Sequence, residues 1–169
     1  MKKSKQSELT PIQLLHYRKT NERYRYYEPS GVGEEYINAF KSDNYLIVFI
    51  SAANGVGKTA LACNIIANMA FPGTNEWFRG GDFDKWPYRK NGCLVTDGLL
   101  VEKNMVSELK FWLPTDRYTT NKANKHFKSQ WTTDTGWSWD IMTYDQDPEQ
   151  FEGVTLDGRG WMNHHQTLS

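Results

Sequence analysis

The stretch Tyr45-Leu46-Ile47-Val48-Phe49-Ile50-Ser51-Ala52-Ala53-Asn54-Gly55-Val56-Gly57-Lys58-Thr59 decides the fold predicted for this chain of 169 residues. Its first six residues are apolar or aromatic at every position, which is typical of a strand buried between two layers. Small residues follow up to Gly57. The region from Lys58 to Ala70 is rich in Ala, Leu and Ile and predicts a helix that ends at Phe71-Pro72-Gly73. The order of strand, loop and helix indicates an α/β fold.

The loop inside this stretch has the spacing of a Walker A phosphate loop. Ala52 stands where the strict pattern has glycine, and a small residue there still permits the turn. Gly55 and Gly57 allow the backbone to curl so that N–H groups point at phosphate oxygens, and the helix N-terminus adds positive potential. We therefore expect ATP as the ligand, bound by Ala53, Asn54, Gly55, Val56, Gly57, Lys58, Thr59 and Ala60.

Two side chains of the loop are expected to carry the chemistry. Lys58 should reach the β- and γ-phosphates and is the candidate catalytic residue, while the hydroxyl of Thr59 should bind Mg²⁺. Ala60 is small enough to allow close approach. The alternative is a chance Gly-Lys-Thr triplet, and the strand, loop and helix around it argue against that reading.

Hydrolysis also requires an acidic residue near the metal ion, and two candidates follow predicted strands. Asp97 follows Cys93-Leu94-Val95-Thr96, and Asp145 follows Ile141-Met142-Thr143-Tyr144. Polar residues are common at strand ends, so a solvated or capping acid is the more usual role for either aspartate.

Composition limits the class of protein. Twenty Lys and Arg side chains balance twenty Asp and Glu, so any basic surface has to be local. The two cysteines, Cys63 and Cys93, do not make a disulfide framework. No apolar segment follows the basic N-terminus, and the longest apolar run is too short for a bilayer. We expect a cytoplasmic protein with no membrane partner.

Other segments have clear local patterns. Thr10 and Pro11 predict the start of a short helix, and further helices are expected over 33–40 and 104–112. Residues 127–131 and 137–144 predict a β-hairpin around Thr133-Asp134-Thr135-Gly136. Trp131, Trp137 and Trp139 could stack on single-stranded bases, although such residues more often pair across strands or join the core. The basic residues Lys122, Lys125, His126 and Lys128 could contact DNA phosphates or simply be solvated.

Several segments, in this order, resemble the ATPase part of tailed-bacteriophage terminase large subunits, the motors that package viral DNA. Besides the phosphate loop they are Tyr27-Glu28-Pro29 with Glu35-Tyr36-Ile37, Lys110-Phe111-Trp112-Leu113-Pro114, and Trp139 to Gln146 with Phe151-Glu152-Gly153. The resemblance covers about residues 27–157 and places the first of these segments near the adenine site.

The resemblance implies a P-loop NTPase core with a mainly parallel sheet flanked by helices. It also implies double-stranded DNA and other packaging-motor subunits as partners. A homo-oligomer is implied for the full-length protein, in the cytoplasm of the host cell.

The chain departs from the family pattern in three respects. Gly33 stands near the place of an adenine-contacting Gln, and the phosphate loop contains no Arg. After Val154-Thr155-Leu156-Asp157 the family continues a strand ending in Asp-Glu, the Walker B motif, whereas this chain continues with Gly158-Arg159-Gly160. We therefore expect an incomplete ATPase, truncated before Walker B and lacking a nuclease domain, that binds ATP but does not hydrolyse it alone. Its predicted parts are an N-terminal arm (1–26), a partial P-loop ATPase domain (27–157) and an irregular tail (158–169).

Two other functions stay open. A small nucleotide kinase would need an Arg-rich lid, and Arg79, Arg89 and Arg117 are widely scattered. A catalytically incomplete protein would bind nucleotide, or only other motor subunits, without turnover. Phosphate release with and without DNA separates an enzyme from a binder.

Overall fold

The computed structural model describes residues 9–42, 55–84, 89–96, 101–122 and 129–145. Its α-helices are α1 (Pro11–Asn21), α2 (Gly31–Lys41), α3 (Lys58–Ala70) and α4 (Ser107–Trp112), and its strands are β1 (Asn91–Thr96), β2 (Tyr118–Lys122), β3 (Ser129–Thr133) and β4 (Ser138–Thr143). Short 3₁₀ turns cover Arg23–Tyr26, Glu76–Phe78 and Gly81–Phe83, and a π-helical segment, Val101–Val106, leads into α4. The strand predicted over residues 45–50 lies outside the described residues.

The helices begin where the sequence supplies caps. Thr10 and Gln13 form a reciprocal capping box at the start of α1, and the Ser30 hydroxyl accepts a hydrogen bond from the Gly33 N–H at α2. Helix α3 begins after Gly57, whose backbone is left-handed. The predicted bounds of α3 are confirmed, and α1 starts at Pro11 as predicted and ends at Asn21.

The strands form a mixed sheet in the order β1-β4-β3-β2. Strands β3 and β4 are antiparallel and joined by the predicted turn, so the hairpin is confirmed. Strand β2 pairs antiparallel with β3, and only β1 with β4 is parallel among the described pairings. The described strands therefore form a mostly antiparallel sheet and not the mainly parallel sheet that we expected. Short connections between neighbouring strands permit antiparallel pairing alone, whereas a parallel pair needs a long crossover.

Helix α3 is buried on nearly every side and separates two hydrophobic clusters. Its sheet-side core includes Cys63, Ile66, Ala67, Leu94, Leu109, Trp131, Trp137, Trp139 and Ile141, together with Tyr24. Its α2-side core consists of Ile37, Leu61, Ile65, Phe78 and Phe83. The predicted N-terminal arm thus contributes Tyr24 to the core, and the two clusters hold α2 and the sheet on opposite sides of α3.

The overall architecture is therefore mixed α/β. Among the described residues, no helix is long and apolar enough to cross a bilayer.

Candidate functional site

A cleft of about 360 Å³ opens where the N-termini of α2 and α3 meet. It is lined by Tyr27, Ser30, Val32, Gly33, Val56, Gly57, Lys58 and Leu61. Its volume falls within the range of roughly 300–1,000 Å³ that is usual for small-molecule sites. One wall of the cleft is therefore the end of the predicted phosphate loop, and the other comes from a segment about thirty residues earlier in the chain.

The loop wall has an unusual backbone. Gly55 and Gly57 both have φ of 83°, whereas Val56 between them has a negative φ like every other described non-glycine residue. A Cβ atom added to either glycine would meet nothing within 4 Å, so glycine is required there by conformation and not by space. Backbone N–H groups can form an anion-binding concavity where left- and right-handed residues alternate. Gly55 and Gly57 would supply the left-handed residues of such a concavity.

Lys58 and Thr59 occupy the first turn of α3, immediately after this backbone. Lys58 lines the cleft and is partly exposed, as a side chain that reaches a solvated anion has to be. Thr59 and Ala60 are also partly exposed. Ala53 and Asn54, predicted to contact the nucleotide, lie outside the described residues.

The opposite wall is apolar. Tyr27 is half-buried, and its ring meets the Trp112 ring edge-on at 5.3 Å and the Phe78 ring at 6.1 Å between centroids. Burial raises the pKa of Tyr27 above its ordinary value, so the phenol is neutral at physiological pH. With Val32 and Leu61, Tyr27 offers a flat aromatic and aliphatic surface within the same cleft as Lys58.

Gly33 is buried where α2 approaches α3. A Cβ atom there would lie 3.2 Å from the Pro29 Cβ, which is a tight contact with the segment before α2, and 3.8 Å from the Leu61 Cδ1, which is ordinary contact with α3. The residue that stands near the family's adenine-contacting Gln is thus found in the cleft lining, but without a side chain to read a base.

The remaining candidates that the structure describes do not line this cleft. Asp145 is exposed two residues beyond the end of β4, while Asp97 lies outside the described residues. Trp131, Trp137 and Trp139 are buried, with 1%, 2% and 4% exposure, so the expectation that they join the core is confirmed. Residues 123–128 and 146–169, which include most of the basic stretch and the entire tail, are outside the described part.

Sequence reasoning overlooked several residues that shape the cleft. Ser30, Val32 and Leu61 carry no motif, because they meet only through the packing of α2 on α3. Asn75, which holds Tyr27 from outside the cleft, was also missed. The only available signal was Ser30 before a helical pattern, which marks a cap and not a ligand site.

Over the ranges that the structure describes, no three His, Cys, Asp or Glu side chains are grouped so as to hold a metal ion. Comparison of the chain with protein-family models, curated proteins and solved structures finds no match.

Proposed function

We propose that the cleft binds a nucleoside triphosphate, with ATP as the expected ligand. The carrying observation is that the left-handed glycine loop and Lys58 line the same cleft as Tyr27 and its apolar neighbours. An anion site and an aromatic platform in one cavity match the two chemical halves of a nucleotide.

The phosphates would lie on the loop wall. Converging N–H groups and the N-terminus of α3, a helix of 13 residues, favour negative charge, and Lys58 would add a charged donor to the outer phosphates. Thr59 would hold Mg²⁺ through its hydroxyl. Magnesium in such sites takes most of its other ligands from phosphate oxygens and water, so few protein ligands are needed.

The base would lie against the apolar wall. The neutral Tyr27 ring provides a stacking surface, and base stacking on an aromatic side chain contributes about 1–3 kcal/mol. Val32 and Leu61 would cover the base edges. This wall would supply affinity for any planar base.

The resemblance to terminase large subunits extends the proposal to the ATP-binding part of a viral DNA-packaging motor. Support comes from Tyr27, which belongs to the segment resembling the adenine-site region and lines the cleft beside Gly57. Double-stranded DNA and other motor subunits are the partners that this extension proposes. Phosphate release from MgATP with and without double-stranded DNA tests it. We expect no substantial DNA-stimulated release from this chain alone, and a Mg²⁺-dependent release lost in Lys58→Ala would contradict that expectation.

Calorimetric titration with MgATP tests nucleotide binding itself. Lys58→Ala should weaken binding by about 10- to 100-fold, because a hydrogen bond to a charged group contributes about 1.5–3 kcal/mol. The matched control is Lys110→Ala, since Lys110 is exposed on α4 and does not line the cleft. Equal affinities for wild type and Lys58→Ala would show that the loop is not the site.

A further inference from the structure

Asn75 lies outside the cleft, but its side chain holds the segment that carries Tyr27. Its Nδ2 donates hydrogen bonds to the backbone carbonyls of Tyr24 and Tyr27, each at 2.9 Å. Its Oδ1 accepts from the Trp77 N–H at 3.0 Å. The residue is only 3% exposed. These hydrogen bonds therefore take the place of the bonds to water that the amide gives up on burial.

The position of Asn75 explains why one amide can control this segment. It follows the turn at the end of α3 and caps the 3₁₀ turn Glu76–Phe78. Phe78 in that turn packs against the Tyr27 ring, so one short segment contacts both the backbone and the side chain of Tyr27. Nearby, the Tyr24 ring packs on Phe71 with centroids 5.6 Å apart. The segment from Tyr24 to Tyr27 is thus anchored beside the C-terminal end of α3, while Tyr27 also lines the cleft at the N-terminal end of α3.

The bond to the Tyr27 carbonyl is the one with a consequence for the cleft. That carbonyl belongs to the same residue as the ring on the apolar wall, and few bonds separate them. Losing the two donors would leave two carbonyls without their amide partner and free the backbone at Tyr27 to shift. The loop wall at Gly55 to Lys58 makes none of these bonds and should keep its shape.

We propose that Asn75 is a positioning residue for the nucleotide base. By fixing the backbone of Tyr27 it holds the aromatic ring at the cleft, and so sets the affinity for the base without acting on the phosphates. The inference rests on the proposed function of the cleft, and it separates the two walls experimentally.

The test compares two ligands by calorimetry, MgATP and magnesium tripolyphosphate, the second of which has no base. The variant is Asn75→Asp, which keeps the size and one acceptor oxygen but replaces the donors with an oxygen that repels both carbonyls. We expect MgATP to bind about 10-fold more weakly and tripolyphosphate to bind within about 2-fold of wild type. The matched control is Asn121→Asp, because Asn121 is exposed on β2 and bonds to Gln130 instead.

Tyr27→Ala provides the second arm. It should show the same split between the two ligands, and adding Asn75→Asp to Tyr27→Ala should weaken MgATP no further, because the two residues act through one contact. Should Asn75→Asp fail to fold by circular dichroism, Asn75→Ser removes the paired donors without adding charge and replaces it in both arms.

The outcomes are distinct. Equal weakening of both ligands by the Asn75 variant would mean a general structural role and overturn the inference, as would an unaltered MgATP affinity. A wild-type protein that binds neither ligand would overturn the proposed function itself, and the inference with it. A split shown by Tyr27→Ala but not by the Asn75 variant would retain the base wall and remove Asn75 from it.

Discussion

The four-stranded sheet is held together by packed side chains, whereas the cleft exposes backbone. In the sheet, Trp137 and Trp139 stack with ring centroids 5.5 Å apart and planes 6° from parallel, and Trp131 is covered by Tyr118 at 4.6 Å. The sheet therefore closes on its own side chains. At the cleft, Gly55 and Gly57 are exposed and present backbone in place of side chains. The sheet fills its space with side chains, whereas the cleft leaves polar backbone at an open surface.

Gly92 in the sheet and Gly57 in the cleft are required for different physical reasons. A Cβ atom on Gly92 in β1 would lie 2.9 Å from the Trp139 Cδ1, so that glycine exists to make room for an indole ring. Gly57 has open space around it and exists for its left-handed backbone. The first requirement comes from packing and the second from the shape of the loop.

Raising the pH should destabilise the fold through its two buried thiols, Cys63 in α3 and Cys93 in β1. Burial, with a smaller effect from Asp140, raises the pKa of the Cys93 thiol to about 12, and burial also raises the pKa of Cys63. A thiol in the unfolded chain has a pKa of about 8.5. Below that pH the thiols are protonated in both the folded and the unfolded state, so they cost no stability. Above it the unfolded thiols ionise while the folded ones do not, so stability falls by about 1.4 kcal/mol per pH unit for each thiol.

Urea unfolding of reduced protein at pH 7.5 and pH 9.5 measures this loss, which should be about 3 kcal/mol for the two thiols together. The double variant Cys63→Ala/Cys93→Ala should be less stable at both values but lose much less between them. An equal loss in wild type and double variant would show that the thiols do not cause it.

Removing the Arg117 side chain, which pairs with Asp134, should lower the stability of the sheet and leave ligand binding at the cleft unaltered. Its guanidinium donates to both carboxylate oxygens of Asp134, at 2.8 and 3.1 Å, and lies 4.3 Å above the Phe71 ring. Arg117→Ala should lower the free energy of unfolding by about 1–2 kcal/mol, the sum expected of an exposed ion pair and a cation–π contact. Arg117→Lys should restore little, because only guanidinium makes the paired bond.

Chemical denaturation measures the loss, with Arg79→Ala as an exposed arginine control. The affinity for MgATP should stay within about 2-fold of wild type, since the pair of Arg117 and Asp134 is not part of the cleft. An Arg117→Ala variant as stable as wild type would contradict the expected stability loss. A variant that loses nucleotide binding would contradict the division between the two regions.

Replacing Gly57 should have the smallest effect on stability and a selective effect on binding. Alanine at this left-handed position costs about 1 kcal/mol, because its Cβ crowds the following carbonyl. The control is Gly31→Ala in the first turn of α2, where φ is not positive and a Cβ meets nothing within 4 Å. Thermal unfolding and MgATP titration should separate the variants. Identical behaviour of the two would mean that the backbone of Gly57 is not required.

Local sequence patterns predicted the helix and the hairpin whose ends are marked by glycine or proline. Helix α3 follows a glycine loop and ends before Pro72, and the β3–β4 hairpin encloses a turn with Gly136 at φ 88°. Strand β2 was missed, because Tyr118-Thr119-Thr120-Asn121-Lys122 has one apolar residue and becomes a strand by pairing with β3. That pairing is a tertiary effect which no local pattern records.

Some residues at the cleft could likewise be predicted from sequence and others could not. Its glycines and Lys58 form a motif of fixed spacing, so they could be found from sequence. Val32 and Leu61 meet through the packing of α2 on α3, and Asn75 acts through two carbonyls of a segment far from it in sequence. Such residues have no mutual spacing to recognise. The parallel arrangement expected of the sheet depended on the region 45–50, which lies outside the described residues.

Nuclear magnetic resonance of protein labelled with ¹³C and ¹⁵N and titrated with MgATP tests the division most directly. We expect the amide signals of Gly55, Val56 and Gly57 to move together with the ring signals of Tyr27, while the amide signals of β2, β3 and β4 stay in place. Lys58→Ala should remove these shifts at the same MgATP concentration. Shifts confined to the sheet, or shifts in the loop without any change at Tyr27, would contradict the claim that one cleft holds both halves of a nucleotide.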